Sequence, residues 1–153
     1  MPNTYTQLYI QLVFAVQHRK ALIHENIRDE LQKYITGIAQ AHKHKMLAIY
    51  CNPDHTHVLV GLNATQSLSS LANVMKSNSS CWLNETKRLN SHFNWQDGYG
   101  AFSYHKSQLD MIVKYVRNQK EHHKNTCFKE EYLELLKEFN IDYDDRYLFT
   151  WLE

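Results

Sequence analysis

The chain has 153 residues, the length of one domain, and its 43% hydrophobic residues are enough to form a core. No apolar run approaches the roughly 20 residues of a membrane span, and the N-terminus lacks a signal-peptide layout. The three cysteines are widely spaced and form no C-x-x-C pair, which argues against a disulfide framework or a zinc knuckle and favours the cytoplasm. The net charge of +1 conceals an uneven distribution, since residues 129–153 hold 8 acidic and 3 basic side chains after a mildly basic body of residues 1–128.

The first half of the chain contains three predicted strands and one predicted helix. Residues 8–16 alternate apolar side chains with a period of two, as a strand does. Residues 26–39 have helical apolar spacing with acidic residues near the start. Residues 45–51 and 55–62 are then predicted to form a β-hairpin around the turn sequence Asn-Pro-Asp.

The second half is predicted to be mainly helical. A helix capped by Thr65 or Ser67 is followed by residues 94–105, which contain two glycines and are predicted to be a turn leading into a fourth strand. Ser107 is predicted to cap a single helix over the sequence "QLDMIVKYVRNQKEHHK", and "FKEEYLELLKEF" predicts a last helix.

The order of elements indicates an α+β fold. Two successive strand–helix–strand units predict a ferredoxin-like (RRM-like) antiparallel sheet with helices packed on it, plus a C-terminal helix or tail. We therefore expect one domain over residues 1–128 and an acidic helical tail over residues 129–153.

The sequence "HTHVLV" places two histidines at the start of the third strand. His55 and His57 are two residues apart, so they point to the same face while Thr56 points to the other. Two imidazoles at this spacing can share one metal ion. The alternative is a pair of hydrogen-bonded surface histidines in a chain that contains ten.

The sequence "YVRNQ" places Tyr115 and Gln119 on one helical face, outside the apolar stripe. Tyr115 is either a half-buried packing residue or a reactive phenol beside an amide that could supply a third, oxygen ligand. A nearby cation would favour the phenolate and could polarise a phosphoryl group under attack. Basic side chains around this helix would attract a phosphate backbone, or simply form a solvated face.

These motifs together resemble the single-tyrosine HUH transposases of the insertion-sequence 200/605 type, over roughly residues 5–128. "NPDHTHVLVGL" is similar to their histidine–hydrophobe–histidine strand and "KYVRNQKEHH" to their nucleophile helix, while "FAVQHRKAL" and "WQDGYGAFSYH" also resemble segments of these proteins. Thr56 stands where a larger apolar residue is usual, but it points away from the histidine face.

The resemblance implies a DNA transposase that cleaves and rejoins single-stranded or hairpin DNA through a 5′-phosphotyrosine. It implies Tyr115 as the catalytic nucleophile and His55, His57 and Gln119 as ligands of a divalent ion, Mg or Mn, although imidazoles alone would favour a softer ion. It also implies a homodimer whose active sites could be shared between chains, and no membrane partner. The candidate DNA contacts are Arg19, Lys20, Lys114, Arg117, Asn118 and Lys120.

Three alternatives remain open at this point. A domesticated relative of the same fold could bind or nick palindromes without moving an element. A non-catalytic module could bind nucleic acid through surface aromatics of the sheet. A metal-dependent hydrolase could use His122 or His123 as an extra ligand and would need no tyrosine.

Overall fold

The centre of the fold is a four-stranded antiparallel sheet with the order β2-β3-β1-β4. The computed structural model describes residues 3–144, 146 and 148, except for the side chain of Arg19. The strands are β1 (Tyr9–Ala15), β2 (Lys45–Cys51), β3 (His55–Gly61) and β4 (Gly100–Tyr104). This topology confirms the predicted α+β, ferredoxin-like sheet.

Helices cover both faces of the sheet. They are α1 (Glu25–Ala41), α2 (Leu68–Glu85), α3 (Leu109–Arg117), α4 (Gln119–His122) and α5 (Phe128–Glu138). Short 3-10 turns span Gln17–Arg19 and Lys106–Gln108. Among these described helices, none combines the length and the apolar character that crossing a membrane requires.

The two faces of the central strands build two separate cores because successive side chains in a strand alternate in direction. Leu12 and Phe14 of β1 pack with α1 and α2 on one face. Val13 and Ala15 pack with α3 and α5 on the other face. Both faces of β1 are therefore buried, as its apolar run over residues 12–15 favours.

The helix predicted from Ser107 onward differs from the structure in two respects. His105, not Ser107, caps the segment: its side chain accepts the Ser107 amide, and Ser107 lies inside the 3-10 turn. The helix is also interrupted at Asn118, whose backbone (φ −96°, ψ 23°) separates α3 from α4. The prediction at the preceding helix is confirmed for Ser67, whose side chain accepts the Ser70 amide at 3.1 Å.

A glycine lets α5 approach the edge strand closely. A Cβ atom built on Gly100 would lie 2.6 Å from the Tyr132 phenol oxygen, well inside van der Waals contact. Tyr132 is buried and belongs to the core that α5 forms with β4. Gly100 therefore allows α5 to pack closely against β4. The same helix also carries one residue of the candidate site.

Candidate active site

His55 and His57 lie under α5 on the face of the sheet that also carries Val13 and Ala15. The register of β3 against β1 places His57 opposite Val13 and His55 opposite Ala15. Both histidines are almost fully buried, with exposed fractions of 1% and 0%. The interpretation of this pair as surface histidines is therefore wrong.

Three histidines are held with their Nδ1 atoms facing outward from a common centre. Each Nδ1 faces an oxygen acceptor, so the assigned neutral tautomer carries its proton there. These pairs are His55 with the Asp54 carboxylate (2.7 Å), His57 with the Gln11 amide oxygen (2.6 Å) and His123 with the Thr126 carbonyl (2.7 Å). In neutral rings the three Nε2 atoms are then inward-facing acceptors, and that of His55 lies 3.1 Å from the Asn52 side-chain amide nitrogen.

The inward-facing atoms converge with a carboxylate. His55 Nε2 and His123 Nε2 are 3.1 Å apart, and His57 Nε2 lies 2.9 Å from Glu131 Oε1. One ligand atom from each of these four residues lies within 4.8 Å of the others. Lone pairs that face each other at this distance repel unless they share a proton or a cation, so the donor set fits a divalent metal ion.

Gln119, the predicted third ligand, lies in the same group and is fully buried. Its amide oxygen is 2.9 Å from His123 Nε2 and accepts a hydrogen bond from Asn52 Nδ2 at 3.1 Å. Its amide nitrogen donates to Glu131 Oε2 at 3.1 Å, which fixes the oxygen toward the histidines. The structure thus brings His55, His57 and Gln119 together.

Tyr115 lies at the edge of this group. Its phenol donates a hydrogen bond to Glu131 Oε2, and its ring packs edge-on against His57 with the centroids 5.7 Å apart. Tyr115 and Gln119 still face the same centre despite the interruption at Asn118, because the Asn118 amide donates to the Lys114 carbonyl across it. Glu131 is therefore shared by the phenol and the histidines.

The buried charges shift several pKa values. Burial alone would raise the pKa of the Glu131 carboxyl, but the charge that His57 carries when it is protonated, and the hydrogen bonds that the protonated imidazoles donate, hold this pKa well below its usual range. Burial would lower the pKa of His55, but its bonds to Asp54 and Glu131 outweigh that effect and raise it. Burial and the adjacent Glu131 charge raise the pKa of Tyr115, so its phenol is protonated at neutral pH in this arrangement.

Two of the buried polar residues, Gln11 and Glu131, were not predicted from the sequence. Gln11 is an unexposed amide in an apolar central strand, and such a group requires partners. It bonds both His57 and the phenol of Tyr104. Glu131 follows Phe128 by three residues, which places an acid on the apolar stripe of α5. A polar residue on a predicted core face is the feature that could have revealed each of them.

The candidate DNA contacts lie mostly at the surface around the site. Lys20, Lys114, Arg117, Asn118 and Lys120 are exposed, and the side chain of Arg19 lies outside the described part of the chain. A groove of about 510 Å³ beside His123 is lined by Arg28, Lys120 and Lys124. A second cavity, of about 250 Å³, opens beside Tyr115 between Met111 and Leu135.

The chain was compared with known protein families and with solved structures. A family model described as "Transposase IS200 like" matches residues 4–119. No curated protein matches the chain.

Two solved structures share the fold. One is a protein of Deinococcus radiodurans R1 provisionally assigned as a transposase, with a TM-score of 0.63 and 18% identity, covering 78% of this chain and 95% of that one. The other is a REP-associated tyrosine transposase bound to a REP hairpin, with a TM-score of 0.61 and 13% identity, covering 80% of this chain and 73% of that one.

Proposed function

Because this chain belongs to the IS200-like transposase family, we propose that it cleaves and rejoins single-stranded DNA by transesterification, with Tyr115 as the nucleophile. The observation that supports this most strongly is the hydrogen bond from the Tyr115 phenol to Glu131, whose other oxygen lies 2.9 Å from His57. The nucleophile and the cation ligands are thus adjacent within one chain.

In the proposed cleavage step, the Tyr115 phenol oxygen attacks a phosphodiester of the DNA strand. A bond forms between this oxygen and phosphorus, and the bond from phosphorus to the 3′ oxygen breaks. The phenol loses its proton and the leaving 3′ oxygen gains one, so a 5′-phosphotyrosine and a free 3′-hydroxyl result. Bond energy is retained in the phosphotyrosine, and no nucleotide cofactor is required.

In the proposed joining step, the 3′-hydroxyl of a second strand attacks the phosphotyrosine. The new bond from phosphorus to the 3′ oxygen replaces the bond to Tyr115, and the phenol regains its proton. Because the tyrosine is restored, the same residue can serve repeated cycles of cleavage and joining.

A divalent ion, Mg or Mn, would be held by His55, His57 and Gln119, with His123 and Glu131 in reach of the same point. When bound, such an ion supplies Lewis-acid stabilisation of the charge that develops on the phosphoryl oxygens. Imidazole ligands alone favour softer ions. The amide and carboxylate oxygens shift the preference of this site toward Mn²⁺. Asp54 and Gln11 orient the two strand histidines from behind.

We propose that the DNA backbone follows the groove beside His123, where, among the described residues, Arg28, Lys120 and Lys124 outnumber the one carboxylate, Glu25. Arg28 is fixed there, since its Nε donates to the Cys51 carbonyl at 2.8 Å and its guanidinium lies over the Tyr50 ring. Lys120 lines the same groove, while Lys114 and Arg117 on α3 would approach the strand from outside. Hairpin DNA is the proposed target, by analogy with the structural neighbour that binds a REP hairpin.

The homodimer with shared active sites stays a prediction of the resemblance. The described part of a single chain already holds Tyr115 beside its own His57, at 5.7 Å between ring centroids. A site built within one chain therefore has every proposed group, and a second chain would serve DNA binding or strand exchange.

One hairpin DNA, labelled at its 5′ end in one sample and at its 3′ end in another, tests the proposal and separates the alternatives. A hairpin with a single-stranded flank would be incubated with the protein and Mn²⁺, with and without an unlabelled acceptor strand. We expect cleavage, protein attached only to the fragment whose 5′ end is created at the break, a free 3′-hydroxyl on the other fragment, and a joined product when the acceptor is present. Cleavage without joining would indicate a nicking relative, two free DNA ends would indicate a hydrolase, and binding alone would indicate a non-catalytic module.

A further inference from the structure

We propose that Glu131 is a positioning residue that links the nucleophile to the cation site, and that α5 is therefore an integral part of the active centre. The role toward the nucleophile rests on the proposed function, whereas the role toward the cation does not. The residues matched by the family model end at Gln119, so this part of the site lies beyond them.

The two oxygens of Glu131 face different partners. Oε1 faces the histidines, at 2.9 Å from His57 Nε2 and 3.3 Å from His123 Nε2. Oε2 accepts from the Tyr115 phenol and from the Gln119 amide nitrogen. One rigid carboxylate thus fixes the distance between the phenol oxygen and the cation ligands.

Glu131 also fixes the orientation of Gln119. The Gln119 amide nitrogen donates to Glu131 Oε2, so the amide oxygen must point the opposite way, toward His123 Nε2 at 2.9 Å. Asn52 Nδ2, which donates to the Gln119 amide oxygen, and the Tyr115 carbonyl, which accepts from the amide nitrogen at 3.3 Å, support the same orientation. Glu131 is therefore one of three groups that direct the proposed third ligand, and it is the charged one.

The position of Glu131 is fixed by packing of α5 on the sheet. The Phe128 ring stacks on His55 with the centroids 3.9 Å apart and the planes at 10°. One residue beyond Glu131, Tyr132 packs on the bare Cα of Gly100. These contacts lie on both sides of Glu131 along the helix, so the carboxylate is held in place from each side.

Burial of this carboxylate needs a functional or structural reason. Glu131 is 2% exposed, and burying an ionised carboxylate costs several kcal/mol unless its partners compensate. Around it lie three imidazoles, a fourth ring (His122 Nε2, 3.1 Å from Oε2), a phenol and an amide. A divalent cation held by the histidines would compensate this charge, while Oε2 bonds to the phenol.

The test compares Glu131→Gln with Glu130→Gln, its exposed neighbour on the same helix. Glutamine keeps the shape but removes the charge, and its single oxygen cannot face the histidines and accept from the phenol at the same time. Mn²⁺ alone would be titrated calorimetrically into each full-length variant, followed by DNA affinity without metal and single-turnover cleavage at saturating Mn²⁺. Far-ultraviolet circular dichroism and thermal unfolding would verify the fold of each variant.

We expect Glu131→Gln to weaken Mn²⁺ binding by about 10- to 100-fold, the range known for disturbed metal-site partners. At saturating Mn²⁺ its cleavage rate should remain about 100-fold low, as expected when a nucleophile is misplaced, while its DNA affinity matches that of Glu130→Gln. Equal Mn²⁺ affinity and equal cleavage in both variants would overturn the proposal. A wild-type protein that binds Mn²⁺ through Glu131 but cleaves no DNA would overturn the proposed function and leave the cation role standing.

If Glu131→Gln fails to fold, Glu131→Asp gives the second measurement. Aspartate keeps the charge but withdraws it by one methylene, so Mn²⁺ binding should be largely restored while cleavage stays low. A folded Glu131→Asp protein that binds Mn²⁺ and cleaves DNA at the wild-type rate would overturn the positioning role.

Discussion

The Nε2 atoms of His55 and His123 lie 3.1 Å apart, while each ring directs its Nδ1 to an oxygen acceptor. Two neutral rings in these tautomers present lone pairs to each other, an arrangement that a cation held by both rings would stabilise. We therefore expect Mn²⁺ to stabilise the protein, by about 2.7 kcal/mol at a concentration 100 times its Kd. His123→Ala should lose most of this gain, as read from chemical unfolding with and without Mn²⁺.

The matched control for this prediction is His92→Ala, because His92 is exposed and lies outside the cluster. An Mn²⁺-induced gain in His123→Ala equal to that in His92→Ala would contradict a cation site at the His55–His123 pair.

Gly100→Ala should disturb the active site indirectly, through the packing of α5 against β4. The added Cβ would lie 2.6 Å from the Tyr132 phenol oxygen, so the Tyr132 ring, or α5 with it, must shift, and the core is overpacked. We expect a loss of about 1–3 kcal/mol in the free energy of unfolding, together with weaker Mn²⁺ binding through the displaced Glu131. Urea unfolding and calorimetry would measure the two effects.

Gly37→Ala is the control for that substitution. Gly37 lies inside α1 and a Cβ there meets nothing within 4 Å, so alanine should stabilise the helix by about 0.5–1 kcal/mol. If Gly100→Ala had the same free energy of unfolding as Gly37→Ala and an unchanged Mn²⁺ affinity, the packing of α5 would not depend on Gly100.

The stability of the metal-free protein should depend on pH through Glu131. Its pKa is depressed in the folded state, so the unfolded chain takes up the proton first as the pH falls below the usual value of about 4.5. The contribution is thus present above about pH 4.5 and is lost as the pH falls. Glu131→Gln removes this titrating carboxyl group. Between pH 4.5 and 3 the unfolding free energy of the variant should therefore fall less steeply than that of the wild type, and the two slopes should differ by up to about 1.4 kcal/mol per pH unit.

Urea unfolding at several pH values in the presence of a chelator would measure these slopes. Glu130→Gln should keep the wild-type slope because its carboxylate is exposed. Identical slopes in wild type and Glu131→Gln would contradict a buried, ionised Glu131.

A mixture of inactive chains tests how the sites are assembled. His55→Ala and Tyr115→Phe are each expected to be inactive, and in a shared-site dimer one site of each heterodimer would be intact. Because Tyr115 lies beside His57 of its own chain, we expect no cleavage when the variants are mixed. Restored cleavage in a mixture shown to contain heterodimers would establish shared sites instead.

Local patterns in the sequence predicted the sheet well. β2 has the predicted bounds of residues 45–51, and the period of two in β3 correctly placed His55 and His57 on one face. The helical spacing also placed Tyr115 and Gln119 toward a common centre, although the interruption at Asn118 was not foreseen. These features depend on neighbours within a few residues, which is the range over which periodicity is informative.

The remainder of the site depends on contacts between distant segments. Glu131 meets His57 across 74 positions and Gln11 meets it across 46. Such pairings follow from the way α5 and β1 pack on β3, and neither periodicity nor capping patterns carry that information. The sequence shows Gln11 and Glu131 as polar residues on apolar faces of β1 and α5, but it does not show that both contact His57.

The most direct test of the account is to identify the residue that becomes attached to DNA. The protein would be incubated with a hairpin carrying a single-stranded flank and Mn²⁺, digested with protease and nuclease, and mapped by mass spectrometry, beside Tyr115→Phe and the exposed-tyrosine control Tyr5→Phe. We predict a nucleotide joined through its 5′-phosphate to the peptide containing Tyr115 in wild type and Tyr5→Phe, and no adduct in Tyr115→Phe. An adduct on another residue, or DNA cleavage by Tyr115→Phe at the wild-type rate, would contradict the account.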